Sequence, residues 1–233
     1  MINEKKVLCL IPARGGSKGV PGKNLVKVQG KSLLDWTVNC AKRSQYIDRI
    51  VLSSEDENII AAAKIAGCDI PFVRPKELAS DFTGTMEVVF HALDNLLEKF
   101  DYIVLLQITS PLRNEHDIDT CLENCERSSV YNACVSLCRL EKSPDWMFTL
   151  SENNTIKKLN PDADFVTRRQ DSEPVYYPNG AVYVADIEWL RGQVHFITPE
   201  TLGHIMPLER SIDIDTPLDL IFLNAMLSAD LNI

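Results

Sequence analysis

A glycine-rich, positively charged segment follows the first apolar run of the chain. Residues 11–24 contain four glycines and three cations, Arg14, Lys18 and Lys23, and no acidic residue. Glycine lets a backbone turn tightly and bring its N–H groups close to a ligand. Oriented N–H groups together with cations bind anions, above all phosphates. A flexible basic turn needs neither four glycines nor three cations, so we predict a phosphate-binding loop.

The spacing within this loop excludes two common phosphate-binding motifs. Lys23 is followed by Asn24 rather than serine or threonine, and Ser17 stands where a Walker A loop has its first glycine. The sequence contains no Gly-x-Gly-x-x-Gly, the fingerprint of dinucleotide binding. The loop therefore indicates a different phosphate chemistry.

Two carboxylates near the end of the chain are a second candidate for chemistry. Asp213 and Asp215 alternate with isoleucines, so on an extended backbone both carboxylates point to the same side. A cation stabilises such a pair, and Mg²⁺ bridged to substrate phosphates is held by one or two carboxylates. Asp215 is alternatively the N-cap of the last helix, but that role leaves Asp213 without a function. We predict a metal site.

Three further polar segments border apolar runs, at residues 74–81, 105–113 and 176–183. The first is by itself a polar loop before a helix that Thr85 could cap. In the second, Gln107 could contact a base or a sugar, whereas Arg113 is equally compatible with a solvated cation at a helix start. The third contains Asn-Gly, which is by itself a turn signal.

The apolar pattern places these segments on an α/β fold. Strand-like runs alternate with helical patterns, which implies a mostly parallel sheet with helices on both faces. We expect helices at residues 32–43, 55–66, 85–99, 115–127 and 216–228, and strands at 49–53, 102–107 and 180–184. Ligands bind at the carboxyl ends of such strands, so the glycine-rich loop and the segments after Ser53 and Gln107 should form one site.

The alternation stops between residues 139 and 178. This stretch is polar with few apolar runs, and a structureless loop of that length is uncommon inside a compact domain. We therefore expect residues 139–178 to be an inserted dimerisation arm that packs on a second subunit. Residues 1–138 and 179–233 would form the main domain.

Composition favours a cytoplasmic enzyme. The 233 residues are 45% hydrophobic, which suits one large domain with a substantial core. We expect no membrane span and no signal peptide, because no apolar stretch is long enough. The net charge of −9 argues against binding to nucleic acid or anionic membranes. The seven scattered cysteines, without Cys-x-x-Cys, are expected to be reduced and mostly buried.

Five segments together resemble, in order and spacing, the motifs of the bacterial acylneuraminate cytidylyltransferases, the CMP-sialic acid synthetases. They are residues 11–24, 74–81, 105–113, 178–183 and 211–219. The resemblance implies a Rossmann-like nucleotidyltransferase fold, a homodimer and Mg²⁺. It also implies that CTP reacts with a nonulosonic acid, a nine-carbon 2-keto sugar acid, to give the CMP-sugar and diphosphate. The sugar that it names is N-acylneuraminate.

The resemblance also implies residue roles. The implied CTP-binding residues are Arg14, Ser17, Lys23, Asn24, Arg74 and Thr85. The implied sugar-binding residues are Gln107, Tyr177, Asn179, Tyr183 and, from the inserted arm, Lys142 and Arg169. The implied metal ligands are Asp213 and Asp215, and the implied catalytic residues are Arg14, Lys23 and Asp213.

Two positions depart from the family pattern. Ile108 replaces a proline common in Gln-Pro-Thr-Ser-Pro, and Tyr177 precedes Pro-Asn-Gly where members specific for sialic acid often have arginine. Tyrosine offers one hydroxyl and a ring face instead of a cationic fork, so legionaminic acid is an alternative sugar unless Arg168 or Arg169 supplies the cation. The same fold could also belong to an enzyme acting on 3-deoxy-manno-octulosonate or to a non-catalytic nucleotide-binding protein.

Overall fold

A six-stranded mixed sheet with helices on both faces forms the centre of the computed structural model, which describes residues 1–159 and 173–229. The helices are α1 Leu33–Arg43, α2 Glu57–Ala66, α3 Thr85–Asp94, α4 Glu115–Arg127, α5 Ile187–Gly192 and α6 Pro217–Ser228. The strands are β1 Val7–Pro12, β2 Lys27–Val28, β3 Lys31–Ser32, β4 Arg49–Ser53, β5 Tyr102–Leu105, β6 Ala133–Arg139, β7 Phe148–Leu150, β8 Ile156–Lys158, β9 Tyr176–Asp186 and β10 Thr201–Met206.

The strand order of the main sheet is β10-β6-β9-β5-β1-β4. Strand β9 runs antiparallel to both of its neighbours, and the other three pairs are parallel. Parallel neighbours need a crossover connection, which is usually a helix. Strands β6 and β9 are antiparallel neighbours, and the inserted segment joins them. The predicted α/β class with a mostly parallel sheet is confirmed, with β9 as the exception.

Alternate residues of the central strand β1 enter opposite core layers. Val7, Cys9 and Ile11 pack in the layer that contains α1, α2, α4 and α6, whereas Leu8 and Leu10 pack in the layer with α3 and α5. Because both faces are covered, the strand is apolar throughout instead of alternating. All seven cysteines are buried and free. Across residues 1–159 and 173–229, no helix combines the length and the apolar character needed to cross a membrane.

Local side-chain bonds determine where the helices begin and end. Ser32 caps α1, since its hydroxyl accepts from the Asp35 N–H at 3.0 Å and the Asp35 carboxylate accepts from the Ser32 N–H. At α3 the N-cap is Gly84 instead of a threonine. The predicted end of α3 at residue 99 is wrong, because the Asn95 side chain donates to the His91 carbonyl at 2.9 Å and ends the helix there.

The main sheet extends into the segment predicted to be an arm. The last three residues of β6 pair with the first three of β9, so Tyr176, Tyr177 and Pro178 belong to the sheet. The described part of the insertion contains the small antiparallel pair β7 and β8. Apolar side chains of this pair are exposed, among them Leu150 at 66% and Ile156 at 65%.

A buried ion pair joins α4 to the segment that follows β10. The Asp117 carboxylate, on α4, accepts from both terminal nitrogens of Arg210 and lies 3.0 Å from His204 Nε2. Burial opposes ionisation of Asp117, yet the hydrogen bonds from His204 and Arg210 hold its pKa below the ordinary 3.8. This pair fixes the start of the segment that carries Asp213.

We predict that Asp117→Asn lowers the free energy of unfolding by about 3 kcal/mol, because it leaves the largely buried Arg210 without its charged partner. The control Asp94→Asn removes an exposed partner of Arg191 and should cost less than about 1 kcal/mol. Urea unfolding followed by circular dichroism measures both.

The same pair gives a pH dependence. Because the pKa of Asp117 is lowered on folding, the pair stabilises the fold above pH 3.8, and this stabilisation is lost as the pH falls through the lowered pKa. The stability difference between the wild-type chain and Asp117→Asn should therefore shrink below pH 3.8. Equal stability of the two proteins at pH 7 would contradict the role of the pair.

Candidate active site

A polar cleft of about 430 Å³ opens beyond the carboxyl ends of β1, β4 and β5. It is lined by the glycine-rich loop, by residues between Arg74 and Val88, by Gln107 to Thr109 after β5, and by Asp215. The segment directly after Ser53 contributes none of these lining residues. Eight of the residues to which the resemblance assigns a role line the cleft: Arg14, Ser17, Lys23, Asn24, Arg74, Thr85, Gln107 and Asp215. The structure thus brings together all six residues predicted to bind CTP.

The glycine-rich loop is held from three sides. The buried Asn24 donates its amide Nδ2 to the Arg14 carbonyl at 2.9 Å. The Gly15 N–H donates to Glu55 Oε1 at 2.7 Å. Gly19 passes so close to the Asp215 carbonyl that a Cβ there would overlap its oxygen. The loop is therefore shaped by the protein itself, which is the preorganisation that an anion site needs.

Two cations of the loop share one carboxylate. Asp81 Oδ1 lies 2.8 Å from Arg14 Nη1, and its Oδ2 lies 2.6 Å from Lys18 Nζ. The hydrogen bonds from Lys18 and Arg14 lower the pKa of Asp81 below 3.8. Since the carboxylate is solvent-exposed, an incoming anionic ligand can compete with it for the same two cations.

Lys23 is the best-buried cation of the loop. Its Nζ donates to the Ile214 carbonyl at 2.6 Å and lies 2.9 Å from Asp215 Oδ1. The alternative role of Asp215 as a helix cap is excluded, because Thr216 is the N-cap of α6 and Asp219 accepts from its N–H. Asp215 therefore holds Lys23 at the edge of the cleft.

Asp213 carries negative charge without a cation of its own among the described contacts. Its carboxylate accepts from the Thr109 hydroxyl. The residue keeps solvent-exposed surface, yet the protein packed around its carboxyl group raises the pKa above 3.8, and the charge of Asp215 adds to this effect. A bound cation would relieve that repulsion.

The carboxylate oxygens of Asp213 and Asp215 suit a hard divalent cation that takes only part of its ligands from the protein. Residues 1–159 and 173–229 contain no group of three or more metal-binding His, Cys, Asp or Glu side chains. Mg²⁺ is usually held by one or two carboxylates and takes its remaining oxygens from phosphate and water. Asp213 and Asp215 fit that requirement.

Arg74 also lines the cleft. It is 4% exposed, and its guanidinium donates to the hydroxyl and the carbonyl of Ser53 at the end of β4. Burial lowers the pKa of Arg74, but an arginine remains charged under such conditions. Its fixed, planar donors are suited to the carbonyl and ring nitrogen of a base.

Arg113 anchors the backbone of Gln107. It is 3% exposed, and its Nη1 donates to the carbonyls of Gln107 and Ala181 at 2.7 and 2.9 Å. Its Nη2 donates to the Thr37 hydroxyl at 2.9 Å. Arg113 is therefore neither a ligand-binding side chain nor a solvated cation, and it holds the segment after β5 against the middle of β9.

A second cleft, of about 220 Å³, adjoins the first and shares Thr85 and Gln107 with it. Its other lining residues are Met86, Leu105, Tyr183, His195, Phe196 and Ile197. Burial raises the pKa of Tyr183, which keeps the phenol neutral. Its ring lies 5.6 Å from that of Phe196. Tyr183 and Gln107, two residues predicted to contact the sugar, thus meet in this cleft.

The structure does not support Asn179 as a sugar-binding residue. Asn179 is 4% exposed, and its Nδ2 donates to the Ser211 hydroxyl at 2.9 Å and to the sulfur of Met206. Its Oδ1 accepts from the Ser136 hydroxyl at 2.6 Å and from the Ala181 N–H. Both ends of the amide are therefore used inside the protein, where they join β9 to the segment leading to Asp213.

Two other predicted sugar contacts, Tyr177 and Lys142, line neither cleft. Tyr177 is 37% exposed on β9, and burial raises its pKa to about 12, with a hydrogen bond to Cys138 adding to the shift. The charge of Asp213 contributes to the same shift, so the two side chains are near each other. Lys142 is exposed in the insertion and lines neither cleft. Arg168 and Arg169 lie outside the described residues.

Several site residues were missed by sequence reasoning. Glu55 was detectable as an acid just after the predicted strand 49–53, and Asp81 as an acid inside the polar segment 74–81. Met86 and Phe196 carried no signal, because apolar residues in or after a helix usually belong to the core.

Comparison with known proteins identifies the family of this chain. A family model described as "Cytidylyltransferase" matches residues 8–189. The chain belongs to the cytidylyltransferase family. A pseudaminic acid cytidylyltransferase of Campylobacter jejuni is 33% identical to it over 222 residues, which cover 93% of this chain and 94% of the relative.

Further relatives of this cytidylyltransferase have different names. An N-acylneuraminate cytidylyltransferase of Escherichia coli is 31% identical over 92% of this chain, and one of Streptococcus agalactiae is 34% identical over 93%. The chain spans about half the length of these two relatives, 50% and 52%. A CMP-N,N'-diacetyllegionaminic acid synthase of Legionella pneumophila is 30% identical, with 92% of this chain and 93% of the relative covered.

Two solved structures share the fold of this cytidylyltransferase. A CMP:2-keto-3-deoxy-manno-octonic acid synthetase complexed with CTP superposes with a TM-score of 0.73 at 16% identity, covering 97% of this chain and all of that chain. A 4-diphosphocytidyl-2C-methyl-D-erythritol synthase of Anaerococcus prevotii gives 0.68, also at 16% identity, covering 97% and 98%. The predicted nucleotidyltransferase fold is confirmed.

We predict that Arg14→Ala raises the Kd for CTP about tenfold or more, because a charge-assisted hydrogen bond to phosphate is lost. Lys27→Ala, an exposed cation on β2 outside the cleft, is the control and should leave the Kd unchanged. Isothermal titration with CTP alone measures both. An unchanged Kd for CTP in Arg14→Ala, together with weaker binding of the sugar, would refute the phosphate role of the loop.

Proposed function

We propose that this cytidylyltransferase transfers CMP from CTP to a nonulosonic acid and releases diphosphate. The observation that carries the proposal is the junction of two unlike clefts at Thr85 and Gln107. The larger cleft has the loop, cations and buried arginine suited to a nucleoside triphosphate, and the smaller one has room for part of a second substrate. The relatives that are named for sialic, pseudaminic and legionaminic acid support the same class of sugar.

The proposed reaction requires positioning and charge neutralisation. The anomeric hydroxyl of the sugar attacks the α-phosphorus of CTP, forming the new P–O bond while the bond to diphosphate breaks in line. Arg14, Lys23 and the loop N–H groups hold the triphosphate, and Arg74 orients the base. Gln107 contacts the sugar at the junction of the clefts. Little covalent help from the protein is needed.

Mg²⁺ is the cofactor that fits this site. Asp213 and Asp215 would hold it, because burial raises the pKa of Asp213, the charge of Asp215 adds to that shift, and a bound cation would offset both effects. When bound, Mg²⁺ supplies neutralisation of the charge on the reacting phosphate oxygens. Lys23, held by Asp215, supplies a second positive charge beside it.

The identity of the sugar is the main question within this function. N-acylneuraminate is the sugar predicted from the sequence, and legionaminic acid is its alternative. The likeness to the 3-deoxy-manno-octulosonate enzyme is one of fold alone. A non-catalytic nucleotide-binding protein would bind CTP without turning it over.

A cytoplasmic location stays a prediction.

Diphosphate release is the direct test of the proposed function. The chain is mixed with CTP, Mg²⁺ and each of a panel of nonulosonic acids, and diphosphate is measured by a coupled assay. Release that requires both CTP and a sugar acid supports the proposal. CTP binding without release for any acid, including 3-deoxy-manno-octulosonate, would favour a non-catalytic nucleotide-binding protein.

We predict that Asp213→Asn lowers kcat by about a hundredfold or more, because the ligand loses its charge at the reacting phosphate. Glu209→Gln, an exposed acid in the same segment, is the control and should retain normal turnover. Circular dichroism verifies that both variants are folded. Near-normal turnover of Asp213→Asn at saturating Mg²⁺ would refute the metal assignment.

We further expect the chain to form a homodimer through the insertion. Phe148, Leu150, Ile156 and Leu159 of its described part are exposed apolar side chains, which a second copy would cover. Lys142 and Arg169 would then reach the site of the partner subunit, as the sequence resemblance implies.

Sedimentation velocity of the wild-type chain should show a dimer at micromolar concentration, and Ile156→Asp should shift it toward monomer. Leu97→Asp, at a fully exposed leucine outside the insertion, is the control and should leave the dimer intact. A monomeric wild-type chain with full activity would refute both the dimer and the shared site.

A further inference from the structure

A carboxylate outside the lining of both clefts contacts the glycine-rich loop. Glu55, the second residue after β4, accepts from the Gly15 N–H on its Oε1 at 2.7 Å. Its Oε2 is buried and accepts no hydrogen bond from the residues that the structure describes. Buried polar atoms are nearly always hydrogen-bonded, so an oxygen without a donor needs another stabilising interaction. A nearby positive charge can supply it.

The glycine-rich loop packs tightly on the start of α2 at this contact. A Cβ on Gly15 would lie 2.7 Å from Asp56 Oδ2, which is closer than Cβ contacts come. Asp56 is itself fixed, because it caps α2 by accepting from two backbone N–H groups. The Gly15 N–H belongs to the planar peptide unit that follows Arg14. The hydrogen bond to Glu55 therefore fixes the peptide plane beside Arg14 and limits where that side chain can point.

Arg74 is the positive charge on which Glu55 acts. It is 4% exposed, and the described hydrogen bonds of its guanidinium end on the uncharged hydroxyl and carbonyl of Ser53. Burial lowers the pKa of Arg74, the charge of Glu55 raises it, and the charge of Arg14 lowers it. Glu55 thus opposes both the burial of Arg74 and its repulsion by Arg14. Since a buried charge is costly without an opposite one, the carboxylate and the guanidinium stabilise each other.

We propose that Glu55 is a positioning residue that couples the phosphate-binding loop to Arg74. Its Oε1 holds the Gly15 N–H, and its negative charge keeps Arg14 and Arg74 in one cleft despite their repulsion. The inference rests on the proposed binding of CTP. It adds a residue that touches neither phosphate nor base, yet determines how well each of them is bound.

The two halves of CTP report the two contacts of Glu55 separately. O2 and N3 of cytosine both accept hydrogen bonds from a guanidinium, whereas N3 of uracil carries a hydrogen and cannot accept. A well-oriented Arg74 therefore favours CTP over UTP, and this preference falls when the guanidinium is less firmly held. Inorganic triphosphate has no base, so its affinity reports the loop alone.

Two substitutions at one position separate the contacts. Glu55→Gln keeps an oxygen for the Gly15 N–H but removes the charge, and Glu55→Ala removes both. We expect Glu55→Gln to bind inorganic triphosphate at least as tightly as the wild-type chain and to lose about threefold or more of the preference for CTP over UTP. Glu55→Ala should in addition raise the Kd for triphosphate about fivefold or more, because a hydrogen bond that orders the loop is lost. Isothermal titration with Mg²⁺ present measures all three ligands.

Matched variants at Glu57 are the control. Glu57 is an exposed acid in the first turn of α2 and lines neither cleft. Glu57→Gln and Glu57→Ala should leave the triphosphate affinity and the base preference unchanged. Urea unfolding verifies that every variant is folded. A general folding defect would weaken CTP and UTP alike, and it would not change their ratio.

The outcomes separate this inference from the proposed function. Unchanged triphosphate affinity in Glu55→Ala overturns the loop contact, and an unchanged CTP preference in Glu55→Gln overturns the coupling to Arg74. If the titrations are as expected but no sugar acid gives diphosphate release, the inference is supported and the proposed CMP transfer is wrong. A wild-type chain that does not bind CTP overturns both.

Discussion

The buried guanidinium of Arg113 is the constraint on which the site depends. Three of its hydrogen bonds end on groups from different parts of the chain, the Gln107 and Ala181 carbonyls and the Thr37 hydroxyl, while its buried Nε has no partner among the described residues. Burying a charge is costly unless it is satisfied, so these acceptors cannot separate cheaply. The segment after β5 is thereby held against the middle of β9, and Gln107 stands where the two clefts meet.

Charge in the larger cleft is arranged in pairs before any ligand binds. Arg14 and Lys18 share Asp81, and Lys23 is held by Asp215. Such pairing keeps the cations oriented in a chain of net charge −9, where unpaired cations would be attracted elsewhere. Asp213 lies outside the described lining of this cleft and has no described ion pair; its carboxylate accepts from the Thr109 hydroxyl, and the charges of Asp215 and Lys23 act on it in opposite directions. The paired cations Arg14, Lys18 and Lys23 all line the larger cleft.

The two clefts differ in polarity and are built from different parts of the chain. The larger cleft is lined by residues at strand ends and by a loop that Asn24 and Glu55 hold in place. The smaller cleft is lined by side chains of α3, β5, β9 and the loop after α5, where a single substitution changes its polarity. Specificity can thus change while the phosphate chemistry stays the same.

The sequence by itself determined the α/β class, the position of the glycine-rich loop at a strand end and the bounds of α4, because strand and helix periodicity and glycine spacing are local properties. Only the tertiary structure decided the roles of Asn179 and Arg113, since the partners that satisfy them are distant in sequence. It also reversed β9 and ended α3 at Asn95. The smaller cleft was not predictable from the sequence, because Met86 and Phe196 line it only when α3 and the loop after α5 pack side by side.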